Sequence, residues 1–266
     1  MGLRSLAFIF WMGLSVAVHA RAATCAEQDF ETRVSGETQC LLMRRFGPTD
    51  PAVMVVWLHG NVSAGGPANS HFKIAQATAA AFAADRLLAV ALVRPGYPDG
   101  DGEFSSGSDN ARNDNWQRQT IVEISAAIER LRLRFKPDKV VLVGHSGGAA
   151  IAAVILGMRP QLAQAAVLLA CPCDLVAWRA GRGGRPWTSE DPLHWVDKVA
   201  PSATVLALTG GGDDTTAPAL ARVYVQRLKL RASDAVFEVV PDLGHIDLIR
   251  GSVPIDAVAR VLHPPA

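Results

Sequence analysis

The tightest turn that the sequence predicts carries a serine. Ser146 lies in Gly144-His-Ser-Gly-Gly148, between an aliphatic run at 140–143 and small apolar residues at 149–156. The first run predicts a strand buried on both faces, and the second predicts a buried helix. Flanking glycines let such a strand and helix close around a strained serine whose hydroxyl stands clear of the backbone. This context favours a nucleophile over an incidental serine in a Gly-rich turn.

Two later loops supply the other groups that a nucleophilic serine needs. A serine hydroxyl requires a base to accept its proton and a carboxylate to orient that base. Asp213 and Asp214 follow a predicted strand at 203–208, and His245 follows a predicted strand at 235–240. Serine, aspartate, histidine is one of the chain orders in which this triad occurs.

The elements that must position these residues alternate between strand and helix. After a first strand at 38–45, strands are predicted at 52–58, 87–93, 140–143, 165–170, 203–208 and 235–240, and helices at 75–84, 116–135, 149–156, 218–230 and 253–262. This alternation predicts an α/β fold with a mainly parallel central sheet and helices on both faces. Active sites in such sheets lie beyond the C-terminal ends of the strands. The serine, the two aspartates and the histidine are therefore expected to meet at one edge.

Composition narrows the class of protein. The chain has 266 residues, of which 49% are hydrophobic, and a formal net charge of +1. The length suits one large domain or two small ones, and large α/β domains are often this long. The near-neutral charge gives no reason to expect a nucleic-acid partner. No second Cys/His pair has the spacing of a metal site, and the acidic loop at 99–103 lacks the full calcium pattern. We expect neither a metal nor a cofactor.

The N-terminus has the features of an export signal. Arg4 precedes an apolar stretch at 6–18, and small residues follow it. We therefore predict a signal peptide at 1–22, a single domain at 23–266, and a secreted or periplasmic location. The apolar stretch is shorter than the ~20 residues of a comfortable membrane span, although an uncleaved anchor is the alternative. Stable insertion into a membrane is not expected.

Four cysteines follow this signal, an even number that allows disulfides in an exported protein. We predict a bond between Cys25 and Cys40, which would tie the mature N-terminus to the first strands. Cys171 and Cys173 could close a small local ring; alternatively, Cys171 is a buried apolar residue at a strand end.

Taken together, the motifs resemble the α/β-hydrolase superfamily over residues 38–262. The matching features, in order, are His59-Gly60 after a strand, Gly144-His-Ser-Gly-Gly148, the segment 211–218, and Gly244-His245. The chain is most similar to small members without a large cap, near the prolyl-oligopeptidase-like and dienelactone-hydrolase-like branches. The resemblance implies the α/β-hydrolase fold and a serine hydrolase that needs no cofactor.

The same resemblance implies a role for each matching residue. Ser146 is the nucleophile, and His245 is the general base and then the general acid. The amide of Gly147 forms one half of the oxyanion hole, and the amide of Asn61 is expected to form the other. Families of the peptidase branch often carry a glycine where this chain has Asn61.

Spacing in the resembling families selects Asp214 as the acid. The acid commonly stands three residues after a glycine and four before a proline, as Asp214 does relative to Gly211 and Pro218. Adjacent side chains cannot both point at His245, so the alternative is that Asp213 holds the imidazole.

The substrate is less defined by the sequence. Only about thirty residues separate Cys173 from the next strand at 203, which leaves no room for a large helical cap. We expect an open site with Tyr97 and Trp178 as substrate-contacting residues, although either could simply pack in the interior. The favoured function is a carboxylesterase acting on small ester or acyl substrates. A prolyl-oligopeptidase-like peptidase and a catalytically silent binding protein are the alternatives.

Overall fold

The computed structural model of the chain describes residues 25–113, 116–180, 182, 187–231 and 234–264. The predicted signal peptide at 1–22 lies outside the described residues. No helix within the described ranges is long and apolar enough to cross a membrane.

A single sheet organises the described part of the chain. Its spatial order is β1-β2-β4-β3-β5-β6-β7-β8. The first two strands are antiparallel to their neighbours, and every pairing from β4 to β8 is parallel. The strands are β1 (Arg33–Ser35), β2 (Cys40–Phe46), β3 (Val53–Leu58), β4 (Leu87–Leu92), β5 (Lys139–His145), β6 (Ala165–Leu169), β7 (Thr204–Gly210) and β8 (Asp234–Val240).

Helices cover both faces of this sheet. They are α1 (Ser70–Ala81), α2 (Arg118–Phe135), α3 (Gly147–Met158), α4 (Leu175–Arg179), α5 (Pro192–Trp195), α6 (Pro218–Lys229) and α7 (Val253–Leu262). Buried residues of α2, α3 and α6 share one apolar core, and those of α1 and α7 share the other. Side chains alternate between the two cores along β3: Met54 and Val56 face the first, and Val55 and Trp57 face the second. The predicted α/β-hydrolase fold with helices on both faces is confirmed.

The structure adds β1 before the first predicted strand, and it differs from the predicted elements at other places as well. Helix α1 begins at Ser70, five residues before the predicted start. The added first turn is polar in sequence, but it includes His71, which is buried. The His71 ring donates to Leu92 O at 3.0 Å. The stretch after Cys173, in which no helix or strand was predicted, contains α4 and α5. Asp174 and Asp191 cap these two short helices by accepting hydrogen bonds from backbone amides.

Both pairs of cysteines form disulfides. The predicted Cys25–Cys40 bond is present, and it ties residue 25 to the first residue of β2. Cys171 and Cys173 are also bonded, in a ring directly after β6. The sequence allowed either a local disulfide ring or a buried apolar Cys171. The structure has both, because the two bonded side chains are buried.

Candidate active site

Ser146 occupies a strained turn between β5 and α3. Its φ of 53° and ψ of −121° place a non-glycine residue outside the regions that most side chains adopt. The glycines on either side have no space for a side chain: a Cβ on Gly144 would lie 2.3 Å from Gly148 O, and one on Gly148 would lie 2.2 Å from Leu58 O. The strand and the helix approach each other this closely only because both glycines lack a Cβ. The turn therefore has the geometry that the sequence predicted for a nucleophile.

A buried aspartate and a histidine lie at the same edge of the sheet. His245 Nδ1 is 2.9 Å from Asp213 Oδ2, and the Asp213 side chain has no exposed surface. The carboxylate favours the imidazole tautomer that carries its proton on Nδ1, which leaves Nε2 able to accept another proton. Within the described residues, the Ser146 hydroxyl forms no hydrogen bond with this ring; such contacts often tighten only when substrate binds.

The prediction that Asp214 orients the histidine is wrong, because the carboxylate that contacts His245 Nδ1 is that of Asp213. The Asp214 side chain is exposed, and among the described residues it accepts a hydrogen bond only from the Thr215 hydroxyl, at 3.3 Å. Asp213 instead turns inward because its Oδ1 accepts the backbone amides of Thr215 and Thr216, at 2.9 and 2.7 Å. This turn leaves the next side chain, that of Asp214, facing solvent. The alternative acid, Asp213, is the one in contact with His245.

Thr216 completes the surroundings of this pair. Its hydroxyl lies 2.8 Å from Asp213 Oδ2, 3.1 Å from His245 Nδ1 and 3.1 Å from Ala170 O. It therefore joins the acid and the histidine to the end of β6. Sequence reasoning missed this residue. The available signal was its position three residues after Asp213, where a hydroxyl and an amide can both reach the carboxylate of an Asp-initiated turn.

Charge at the site follows from burial and hydrogen bonding. Burial alone would raise the pKa of Asp213, but hydrogen bonds from His245 and Thr216 outweigh it and hold that pKa below its ordinary value. Burial, and then the neighbouring His245, lower the pKa of His145 to about 4, so its ring is neutral at neutral pH. His145 Nε2 donates to His245 O at 2.9 Å, so this ring has a structural contact with the backbone of the histidine that pairs with Asp213.

The loop after β3 lies against the serine turn. A Cβ on Gly147 would be 2.4 Å from Asn61 Oδ1, and one on Gly60 would be 3.1 Å from the Ser146 Cβ. The structure thus brings together Asn61 and Gly147, the two residues predicted to form the oxyanion hole. Gly147 is also the first residue of α3, where backbone amides have no partner within the helix.

A buried arginine holds this loop in place. Arg94 has no exposed surface, and its Nη1 donates to His59 O at 3.2 Å and to Asn61 Oδ1 at 3.0 Å. The backbone amide of Arg94 donates to His59 Nε2, so His59 donates from Nδ1 to Gly60 O. Burial and the adjacent Arg94 lower the pKa of His59 well below its ordinary value, so its ring is neutral. Arg94 was missed in the sequence, where a charged residue directly after the predicted buried strand at 87–93 was the available signal.

The two predicted substrate-contacting residues have different positions. Tyr97 is only 1% exposed, so the expectation that it contacts substrate is wrong. Its ring lies between the guanidinium groups of Arg94 and Arg112, each 5.3 Å from the ring centroid, and contacts His59 from the side. The chain turns back here, with Tyr97 N bonded to Arg94 O, and this turn directs the ring inward. Trp178 is partly exposed, and its Nε1 donates to Thr215 O at 2.7 Å, beside Asp213.

No three His, Cys, Asp or Glu side chains of the described residues lie close enough together to hold a metal ion. The serine turn, the Asp213–His245 pair and the nearby amides offer chemistry at this edge of the sheet. This arrangement can activate a hydroxyl and stabilise an oxyanion.

Comparison with known proteins identifies the family of the chain. The chain matches the alpha/beta hydrolase family over residues 55–202, a span that includes the serine turn. Since the match covers more than half of the 266 residues, the chain belongs to the α/β-hydrolase family. No curated protein matches the chain.

Solved structures share the fold at low sequence identity. An esterase from Pyrococcus furiosus superposes with a TM-score of 0.64 at 14% identity, covering 86% of this chain and 89% of the esterase. An alpha-beta serine hydrolase homologue from Coxiella burnetii gives 0.60 at 16% identity, covering 90% and 99% of the two chains. An acylaminoacyl peptidase from Pyrococcus horikoshii gives 0.63 at 15% identity; the alignment covers 85% of this chain but only 38% of the peptidase. At these identities the three structures show a shared fold.

Proposed function

We propose that the protein is a serine hydrolase of the carboxylesterase type, acting on small ester or acyl substrates through an acyl-enzyme on Ser146. The observation that carries the proposal is the buried Asp213–His245 pair, which lies at the same sheet edge as a serine in a strained strand-to-helix turn. Structural packing alone gives no reason for a strained serine beside an ionised carboxylate bonded to an imidazole.

Each residue has a defined step in the proposed reaction. Ser146 Oγ attacks the substrate carbonyl while His245 Nε2 takes the hydroxyl proton. The same nitrogen then gives that proton to the leaving alcohol, and an acyl-enzyme remains. Asp213 keeps the imidazole in the correct tautomer and stabilises the imidazolium. A water molecule, activated in turn by His245, releases the acid and restores the serine.

The oxyanion that forms in each step needs donors at the helix side of the serine. The backbone amide of Gly147 and the amide of Asn61 are the proposed donors, because the loop that carries Asn61 lies within contact distance of Gly147. Such donors typically contribute about 10²- to 10³-fold to kcat each.

A peptidase and a silent binding protein are the competing functions. The fold is shared by an esterase and by an acylaminoacyl peptidase, so the scaffold alone does not separate ester from amide substrates. We favour an esterase because the fold of the esterase superposes along 86% of this chain and 89% of the esterase. The silent alternative is disfavoured because all three catalytic groups are present.

We also propose that the protein is exported. Support comes from the charged, then apolar, then small-residue pattern at 1–22 and from the Cys25–Cys40 disulfide, since disulfides persist mainly in oxidising compartments. Expression of the full-length chain followed by fractionation and N-terminal sequencing tests this. A mature N-terminus near residue 23 in the secreted or periplasmic fraction is expected, and a full-length chain in the cytosol would contradict it.

A substrate panel tests the catalytic proposal. Purified protein is assayed on p-nitrophenyl acetate, butyrate and laurate and on aminoacyl p-nitroanilides, with Ser146→Ala as the control. We expect the fastest turnover with short-chain esters and none above background with Ser146→Ala. Faster cleavage of the anilides would favour the peptidase. Absence of turnover with every substrate, by protein with a cooperative thermal transition, would favour the silent alternative.

A further inference from the structure

Three tryptophan rings are in contact on one side of the serine turn. The ring centroids of Trp116 and Trp178 are 5.8 Å apart, those of Trp116 and Trp187 are 5.2 Å apart, and those of Trp178 and Trp187 are 5.1 Å apart. These separations and the tilted or edge-on orientations are those of favourable aromatic pairs. We call these three residues the tryptophan cluster.

The tryptophan cluster extends between the two ends of the proposed active site. At one end, a Cβ on Gly147 would lie 3.1 Å from Cζ3 of Trp116, so this ring adjoins a proposed oxyanion donor. At the other end, Trp178 Nε1 donates to Thr215 O, and the Thr215 amide donates to the Asp213 carboxylate. An acyl group bound at Ser146 would therefore lie beside indole rings.

The cluster is only partly covered by protein. Trp116 is 1% exposed, whereas Trp178 and Trp187 retain exposed surface. The Arg182 guanidinium lies 5.0 Å from the Trp178 ring centroid, and that of Arg179 lies 4.6 Å from the Trp187 ring centroid. Trp116 is thus buried beside two rings that each have a guanidinium over the ring and keep part of their surface exposed.

We propose that Trp178 and Trp187 form a subsite for an aromatic ring that an ester substrate carries within a few atoms of its scissile carbonyl. The subsite rests on the proposed hydrolase function and narrows its substrates to aryl-acyl or aryl-alkyl esters. An aromatic ring presents its electron-poor edge to an indole face, an interaction that a saturated ring of similar size cannot make. The expected preference for the aromatic ring is about 2- to 12-fold in kcat/KM, the range that one aromatic pair supplies.

Trp195 provides a matched control. It belongs to the same region of the chain, but its Nε1 donates to Glu190 Oε2 at 2.9 Å and its ring lies 4.5 Å from Lys198 Nζ. Its backbone packs against Gly157, where a Cβ would be 2.3 Å from Trp195 O. Gly157 is ten residues along α3 from Gly147, which at 1.5 Å per residue is about 15 Å from the serine turn.

The test uses two pairs of esters that differ only in whether the ring is aromatic. Methyl phenylacetate is compared with methyl cyclohexylacetate, and benzyl acetate with cyclohexylmethyl acetate, by pH-stat titration. The first pair places the ring on the acyl side and the second on the alcohol side. The variants are Trp178→Leu, which removes the ring, Trp178→Phe, which keeps a ring but loses the bond to Thr215, and Trp195→Leu. Thermal unfolding checks that each variant is folded.

The expected result is an aromatic preference in at least one pair for the wild type, Trp178→Phe and Trp195→Leu, and its loss in Trp178→Leu. Equal rates for both members of both pairs, or a preference that Trp178→Leu retains, would overturn the subsite while leaving the hydrolase function intact. If no ester is cleaved, the hydrolase function fails instead. Saturation-transfer NMR with benzyl alcohol and cyclohexylmethanol then tests the subsite without catalysis. A signal for benzyl alcohol alone, which Trp178→Leu abolishes, would support the subsite. The absence of such a selective signal would overturn the subsite.

Discussion

Replacing Asp213 by asparagine tests the assignment that the structure corrected. Oδ1 of Asp213 accepts the amides of Thr215 and Thr216, and Oδ2 contacts His245 Nδ1. An asparagine can keep its oxygen on the two amides, and its NH₂ group then faces Nδ1. That nitrogen must become the acceptor, so the ring proton moves to Nε2 and the imidazole can no longer take the serine proton. The same exchange in a serine protease triad costs about 10⁴ in kcat, or about 5.5 kcal/mol of transition-state stabilisation.

The matched control is Asp214→Asn, because the two positions are adjacent and the chemical change is identical. Asp214 is exposed and, within the part of the chain that the structure describes, bonds only the Thr215 hydroxyl, so we expect kcat within about threefold of the wild type. Both variants are assayed on p-nitrophenyl acetate, with circular dichroism as the check on folding. A large loss in Asp214→Asn beside near-normal Asp213→Asn would refute the reasoning.

Three further predictions follow from buried groups. Arg94→Lys replaces the planar guanidinium, whose Nη1 donates to both His59 O and Asn61 Oδ1, by a compact ammonium on a shorter side chain. It should lower kcat about 10²-fold with little change in KM, and an unchanged kcat would contradict a positioning role. Replacing Cys25 and Cys40 together by serine should lower the free energy of unfolding by about 3 kcal/mol in chemical denaturation, because the bond closes a loop of 15 residues; an unchanged midpoint would be inconsistent with this bond. His71 and His145 have a pKa of about 4 in the folded protein against an ordinary 6.5, so the unfolded state binds more protons between these values and stability falls as pH drops through that window. Each histidine should lower the free energy of unfolding by about 2 kcal/mol as the pH falls from about 7.5 to about 5. A His71→Gln variant whose stability has the same pH dependence as that of the wild type would contradict this.

The serine turn was predictable because every determinant is local. The buried strand, the two glycines and the small-residue helix are contiguous, and a strand-to-helix turn this tight leaves few conformations for Ser146. The parallel sheet was predictable from the strand–helix alternation. Because the C-terminal ends of parallel strands lie at one edge of the sheet, the later loops were expected beside that turn.

The choice between the two aspartates was not predictable in the same way. It depends on how the loop after β7 is held: Gly212 N donates to Leu243 O of a distant segment at 3.0 Å, and Asp213 N donates to Gly210 O within the loop at 3.2 Å. A spacing rule counted from a glycine and a proline contains none of these contacts. The burial of Arg94 and Tyr97 is likewise a tertiary property, because their loop lies under the segment that carries His59 and Asn61.

Labelling with a fluorophosphonate is the most direct test of the central claim, that Ser146 is an activated nucleophile. The wild-type protein, Ser146→Ala and a known serine hydrolase are treated side by side, and the adduct is located by peptide mass mapping. The account predicts one phosphonyl adduct, on the peptide that contains Ser146, and none in Ser146→Ala. A folded wild-type protein that stays unlabelled while the known hydrolase reacts, or an adduct on a different residue, would contradict it.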